Sequence, residues 1–273
     1  TLLLIGGWVE GSEKYSKLAA DSRRRKNFAK NTANFLSTHN FDGFHLHWEY
    51  PAHRGGAPED KQNLVHLLQD LSDECKPKDL ILSVNVRVQR ETVQKAYDLK
   101  NIARIVDFMT LMAFDLHGPW DKKIGFSAPL RGDGELNLES RLNYIRSFGV
   151  PAEKLILAVP FYGRTYVTNQ RGNIGDDTIN NSGFAGPFFG EEGFLGYNEI
   201  CHLRKQQEWQ EVKFDSRASQ AVGKFTKDGL THVVTFDTPR SIANKVKFAV
   251  DEGLGGIWTW FVDSGETNYL KFI

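Results

Sequence analysis

The 273-residue chain carries 34 basic and 34 acidic side chains, so no net field draws it to nucleic acid or to an anionic membrane. Hydrophobic residues make up 40% and charged residues 25%, the balance of a globular domain, and one large core is expected at this length. No apolar run approaches the roughly 20 residues of a membrane-spanning helix, and the two cysteines, Cys75 and Cys201, permit at most one disulfide, for which nothing local argues.

Thr1 to Gly7 reads as a strand with a Gly-Gly-Trp exit and no charged leader, so the sequence opens inside a strand and not at a signal peptide. A helix is expected over Ser22 to His39, a strand over Gly43 to Glu49, and a helix over Pro58 to Cys75. The basic run Arg23-Arg24-Arg25-Lys26 begins the first of these helices and reads as a solvated face. Strands follow at Leu80 to Val88, Val106 to Phe114 and Leu155 to Phe161, separated by helices over Arg90 to Arg104 and Asn137 to Phe148. After Arg164 comes a Gly-rich tract too long for a simple loop. A helix from Pro239 to Glu252 then leads to a last strand at Gly256 to Val262.

Such alternation implies a parallel sheet with helices outside it. Six strands are counted where a closed (β/α)8 barrel has eight, so either two units are missing at the N-terminus or the sheet is open. The tract from Tyr166 to Asp237 reads as a small α+β insertion. The expected domains are therefore 1–165 with 238–273, and 166–237. One glycosylation sequon, Asn180-Asn181-Ser182, hints at secretion.

The segment Phe41-Asp42-Gly43-Phe44-His45-Leu46-His47-Trp48-Glu49-Tyr50-Pro51 carries most of the chemical information. Alternate side chains of a strand share a face, so His45, His47 and Glu49 project together into the barrel. They end at the carboxyl edge, where barrel enzymes hold their catalytic groups. A buried polar cluster satisfied by hydrogen bonds is the competing reading, but buried charge is costly without a purpose. Two imidazoles and a carboxylate on one face also resemble a zinc-ligand set, with Asp115 within reach as a fourth group.

This segment resembles the strand-four signature of family 18 chitinases, Asp-Gly-x-Asp-x-Asp-x-Glu followed by Tyr-Pro, with histidines at the two inner aspartate positions. Four more segments agree in order: Ile5-Gly6-Gly7-Trp8, Leu111-Met112-Ala113-Phe114-Asp115-Leu116-His117-Gly118-Pro119-Trp120, Val159-Pro160-Phe161-Tyr162-Gly163-Arg164 and Gly255-Gly256-Ile257-Trp258-Thr259-Trp260. The tract from Gly186-Pro187 to Ile200-Cys201 resembles the start of the family's insertion domain. The resemblance implies an incomplete (β/α)8 TIM barrel, beginning at the family's third strand, with a small α+β insertion domain before the last strand unit.

It also implies a chemistry. The family cleaves β-1,4 links between N-acetylglucosamine units by letting the sugar's acetamido oxygen attack, and it stands outside the two-carboxylate rule for glycosidases. Glu49 occupies the position of the acid that protonates the leaving oxygen. His47 stands where an aspartate stabilises the cationic intermediate, His45 at the other inner aspartate position, and Phe114 where a tyrosine hydroxyl aligns the acetamido group. Asp115, Met112 and Tyr162 match positions that contact the central sugar. Trp260 matches the floor beneath it, and Trp8 and Trp120 match the cleft walls.

A neutral His47 accepts a hydrogen bond but supplies no negative charge, and a protonated one repels the cation and favours ionised Glu49. The expectation is a secreted, monomeric chitinase-like protein that binds chitin or chitooligosaccharide with hydrolysis weak or lost. It requires no cofactor and engages neither nucleic acid nor membrane. The alternatives are an active chitinase using Glu49 as acid and, third, a metal site at His45, His47 and Glu49.

Overall fold

The structure, a computed structural model, describes residues 1–206, 209 and 211–265. The chain forms two compact units. One comprises Thr1–Met112, Asn143–Ile156 and Gly253–Gly256; the other comprises Ala113–Leu142, Leu157–Glu252 and Ile257–Ile273.

The first unit begins with β1 (Leu2–Gly6), α1 (Glu13–Ala20) and α2 (Ser22–Thr38). Next come β2 (Gly43–His47), α3 (Asp60–Cys75) and β3 (Ile81–Arg87), then α4 (Arg90–Ala96), α5 (Leu99–Ile105) and β4 (Phe108–Met112). After α6 (Leu138–Arg146) and β5 (Leu155–Pro160) the chain enters the second unit's sheet. That sheet is built from β6 (Tyr162–Thr168), β7 (Phe194–Gly196), β8 (Glu211–Asp215), β9 (Gln220–Lys227) and β10 (Leu230–Phe236), with α7 (Tyr197–Gln206) following β7. The chain then forms α8 (Pro239–Asp251) and β11 (Gly256–Trp260).

The larger sheet has the order β1-β2-β3-β4-β5-β11. The pairs β1–β2, β2–β3 and β3–β4 are parallel. This is the incomplete (β/α)8 barrel that the family resemblance implies, with β1 and β11 as its two end strands. All five residues of β2 are buried, whereas those of β1 and β11 are partly or fully exposed, as befits strands with one unpaired flank among the described residues.

Local chemistry explains where the elements begin. The Asp21 carboxylate accepts the Arg24 N–H at 2.9 Å and caps α2. Arg25 is not simply solvated: its Nε donates to Asp70 of α3 at 2.9 Å and its guanidinium also reaches the Ala19 carbonyl. The single helix expected over Arg90 to Arg104 is two helices, because Tyr97 is extended and Asp98 caps a fresh start at Asn101 N–H. Helix α8 opens on Pro239 and a reciprocal Thr238–Ser241 capping box. The helix α1 was not anticipated from the sequence.

In the second unit, β7-β6-β10-β9-β8 form an antiparallel sheet. Ile124, Tyr166, Val222 and Val233 form its buried cluster, against which Phe126, Ile174 and Ile179 pack. The Tyr166 hydroxyl donates to the Gly125 carbonyl at 2.8 Å. Lys245 is buried whole, its ammonium donating to Asp237 at 2.6 Å and to the Ala128 carbonyl at 2.7 Å. Burial pushes the Asp237 carboxyl up and the Lys245 ammonium down, each opposed by the partner charge. Most of the segment from Asp263 to Ile273 lies outside the described residues. Cys75 is a buried free thiol. No described helix is long and apolar enough to cross a membrane.

Candidate active site

Most candidate residues stand at or just past the carboxyl end of a strand; the exceptions are His45 within β2, Tyr162, which opens β6, and Trp120, farther along the segment after β4. Trp8 follows β1, Glu49 follows β2, Met112 ends β4, Phe114 and Asp115 follow it, and Trp260 ends β11. The candidates divide between the two units.

In the first unit, the two faces of β2 separate cleanly. Phe44 lies at 6.1 Å from Phe28 of α2, edge to face, on the helix side. His45 and His47 take the alternate positions, and their rings are 5.7 Å apart. His47 is fully buried, and its Nε2 lies 2.7 Å from Glu49 Oε1. Either the imidazole N–H donates to the carboxylate or the carboxylic acid donates to the imidazole lone pair. In both arrangements the functional end of the acid is engaged by its neighbour two residues upstream.

His45 is held through its other ring nitrogen. Its Nδ1 is 2.9 Å from Ser83 Oγ, directly opposite on β3. Ser83 donates to the Phe44 carbonyl at 3.3 Å, so its oxygen is left to accept the Nδ1–H of His45. Burial, then the neighbouring His47, pushes the His45 imidazole down to about 3, which keeps it neutral at physiological pH. Next along β3, Asn85 Nδ2 lies 3.2 Å from Met112 Sδ.

Residues around Glu49 tie it to its surroundings. Gly6 has φ +120°, and a Cβ there would lie 2.1 Å from the His47 carbonyl oxygen, so only glycine allows β1 to cross the end of β2 so closely. The Gly7 N–H then donates to that same carbonyl at 2.8 Å. Arg87 donates to the Tyr50 hydroxyl at 2.8 Å. Burial raises the Tyr50 phenol well above its usual range, with the Arg87 charge opposing and Glu49 reinforcing the rise. Arg54 donates to the carbonyls of Trp8 at 2.8 Å and Glu49 at 3.2 Å, and its guanidinium covers one face of the Trp8 ring at 3.6 Å. Trp8 is 59% exposed. Trp48, by contrast, is core: its indole N–H donates to Ser12 Oγ at 2.6 Å and its ring meets Tyr15.

In the second unit, Phe114 meets Tyr162 edge to face at 6.0 Å. Asp115 takes both oxygens to Arg164, at 2.7 Å to Nε and 2.7 Å to the terminal nitrogen, a bidentate pair. That guanidinium also lies about midway among aromatic rings, 5.1 Å from both Trp120 and Tyr162. Burial opposes its charge while Asp115 restores it, and the balance raises it. Trp120 is 57% exposed. Trp260 is partly buried, with Trp258 at 5.4 Å and Phe261 at 5.6 Å.

Three participants are missed by sequence reasoning. Ser83 and Arg54 give no local signal, since strand register and a loop excursion bring them in. Arg164 is two residues from Tyr162 on a strand, and that spacing places both on one face. No group of three His, Cys, Asp or Glu side chains arranged to hold a metal ion occurs among the described residues. Ser83 pairs with His45 Nδ1, and Glu49 with His47 Nε2.

The model of the glycosyl hydrolases family 18 matches residues 1–265. "Probable chitinase 2" of Drosophila melanogaster is 40% identical over 270 residues, which cover 97% of this chain and 56% of that protein. "Chitotriosidase-1" of Mus musculus is 31% identical over 280 residues, covering 96% of this chain and 58% of that one. The chain thus spans a little over half the length of these curated relatives. Among solved structures, a Group IV chitinase of Ostrinia furnacalis in complex with allosamidin superposes with a TM-score of 0.92 at 33% identity, covering 100% of this chain and 77% of that one. Human YKL-39, described as a pseudo-chitinase with retained chitooligosaccharide binding properties, superposes with a TM-score of 0.88 at 25% identity, covering 100% and 79%.

Proposed function

The chain belongs to the glycosyl hydrolases family 18, and from that premise we propose that it binds chitooligosaccharides while hydrolysing them weakly or not at all. The observation that carries this reading is the 2.7 Å pair between His47 Nε2 and Glu49 Oε1. Substrate-assisted cleavage needs Glu49 to give a proton outward to the leaving oxygen, while an anionic group steadies the cation formed from the acetamido group. Here the neighbour of the acid is an imidazole. It competes for the acid's proton and supplies no negative charge to the intermediate.

Phe114 removes a second requirement. The position that would donate a hydroxyl to the acetamido oxygen carries a ring without a donor. Neutral His45, spent on Ser83, offers no anion in reserve. Preorganised donors and charges commonly contribute about two to three powers of ten each. Losing three in one unit leaves Glu49 with little to act upon, although their effects need not multiply.

The parts that hold sugar rings persist in this reading. Exposed Trp8 and Trp120 supply flat platforms, Trp260 the floor, and Tyr162, Met112 and Asp115 polar or close contacts. The chitooligosaccharide-binding pseudo-chitinase among the structural neighbours supports binding without turnover. The active-chitinase reading is favoured by one fact, the retention of Glu49 in a chain whose relatives include chitinases. In either reading the protein acts outside the cell, as a monomer and without a cofactor. The deciding experiment pairs calorimetric titration of a chitooligosaccharide with hydrolysis of a fluorogenic chitobioside. Binding with negligible release supports the proposal, and release that disappears in Glu49→Gln overturns it.

A further inference from the structure

Asn180 is the one asparagine in the chain with a serine or threonine two residues on, and the intervening residue, Asn181, is not proline. A sequon in a buried strand or helix cannot accept a glycan without disrupting the fold, so its placement decides whether it is a site. Here the segment is an exposed loop without helix or strand structure, and Asn180, Asn181 and Ser182 are all exposed.

The loop is also well anchored on either side of the acceptor. The Asn180 backbone N–H donates to the Val167 carbonyl of β6 at 2.9 Å, and the Ile179 N–H to the Lys122 carbonyl at 3.1 Å. Thr178 forms a bridge with Lys123. The Asn181 side chain accepts the Gly183 N–H at 3.0 Å, closing a turn, and the Ser182 hydroxyl donates to Glu192. Gly183, at φ +92°, is pressed against the Thr165 carbonyl, where a Cβ would stand 2.5 Å away. Backbone bonds and neighbouring side chains hold the loop, so a glycan on the Asn180 amide disturbs none of these contacts.

We propose that Asn180 is an N-glycosylation site, carrying an oligosaccharide rooted on the loop that runs beside the Trp120 segment. The donor class is a lipid-linked oligosaccharide diphosphate. The Asn180 amide nitrogen forms a bond to the anomeric carbon of the first sugar as that carbon's bond to the diphosphate oxygen breaks. The lipid diphosphate leaves with the bonding pair, and the displaced amide proton passes to a base of the transferase. No electrons are exchanged with an outside oxidant or reductant. The site is independent of the chitooligosaccharide reading, and its test does not depend on sugar binding by the folded cleft.

The test secretes the full-length protein from eukaryotic cells behind a supplied leader, so that the chain meets the transferase. Peptide mapping after peptide-N-glycosidase treatment in heavy-oxygen water reads occupancy as conversion of Asn180 to labelled Asp. Labelled Asp at 180 is expected in the parent and in Asn181→Gln and Ser182→Thr. A mobility shift on glycosidase treatment is expected in the same three proteins and is lost in Asn180→Gln and Ser182→Ala. Recovery of the secreted parent with unmodified Asn180, or a shift that persists in Asn180→Gln, overturns the proposal.

Discussion

Arg54 lays its guanidinium 3.6 Å from the centre of the Trp8 ring while the same group donates to the carbonyls of Trp8 and Glu49. One loop residue therefore does two things: it shields one face of an otherwise exposed indole and ties the exit of β1 to the backbone of the acid. Under the proposed function, a flat ligand would stack on the other face of Trp8.

Arg54→Ala is expected to release the indole and weaken chitooligosaccharide binding about two- to fivefold, the scale of an exposed cation–π contact. Arg54→Lys should recover little, because an ammonium cannot reproduce the planar fork that reaches two carbonyls at once. Calorimetry reads the affinity, and Trp8 emission reads the change in its surroundings. Parent-like affinity and emission in Arg54→Ala would remove Arg54 from the ligand platform.

Acid should destabilise the first unit through His45. Its imidazole titrates at about 3 in the folded chain against 6.5 for the ordinary group, because burial disfavours the charged form. The unfolded chain thus binds more protons between those values, so stability is fully present above about pH 6.5 and falls as the pH drops toward 3. The slope from this one group is at most about 1.4 kcal/mol per pH unit. His45→Asn should flatten the pH dependence of denaturant unfolding below neutrality. An unchanged slope in that variant would show that other groups set the acid limit.

Trp260→Ala should cost about thirtyfold or more in chitooligosaccharide affinity, the scale of a buried aromatic anchor. The ring is partly buried against Trp258 and Phe261, so some thermal stability should be lost with it. Trp260→Phe separates the two effects, since it keeps an apolar ring and part of the stacking surface. Should Trp260→Ala bind as tightly as the parent, the assignment of the sugar floor to β11 fails.

Strands β2 to β5 were legible because short apolar runs between turn signals have few other uses, and the shared face of His45, His47 and Glu49 follows from a period of two. What the imidazoles do was not legible. His45 is paired by the register of β3, which sets Ser83 opposite it at 2.9 Å, and no local pattern encodes that register. The break between α4 and α5 is masked in the sequence because the apolar period continues across it, although Asp98 is a capping residue. Arg54 and Arg164 are hard to read from the sequence for a related reason. A long cationic side chain finds its partner through tertiary structure, and its sequence neighbours say little about which one.

The last expectation concerns catalysis and follows from the hydrogen bond between His47 and Glu49. In the full-length protein, Glu49→Gln should change hydrolysis of a fluorogenic chitobioside little, because the acid is engaged by His47 and the acetamido group lacks both its anionic partner and its hydroxyl donor. His47→Asp should help in part, since it frees Glu49 from the imidazole and returns a negative charge to the intermediate. It leaves Phe114 unable to align the acetamido oxygen. His45→Asp with His47→Asp and Phe114→Tyr should raise turnover by about a hundredfold or more, exceeding what the single changes imply, because the three groups act on one intermediate. Two controls keep the series readable. Calorimetric affinity for a chitooligosaccharide should stay near the parent value throughout, which separates a restored reaction from restored binding. Adding Glu49→Gln to the triple variant should abolish the gain, which assigns it to Glu49 as acid. Strong parent activity that vanishes in Glu49→Gln would mean that an imidazole can replace the aspartate beside the acid, and the protein would then be a working chitinase.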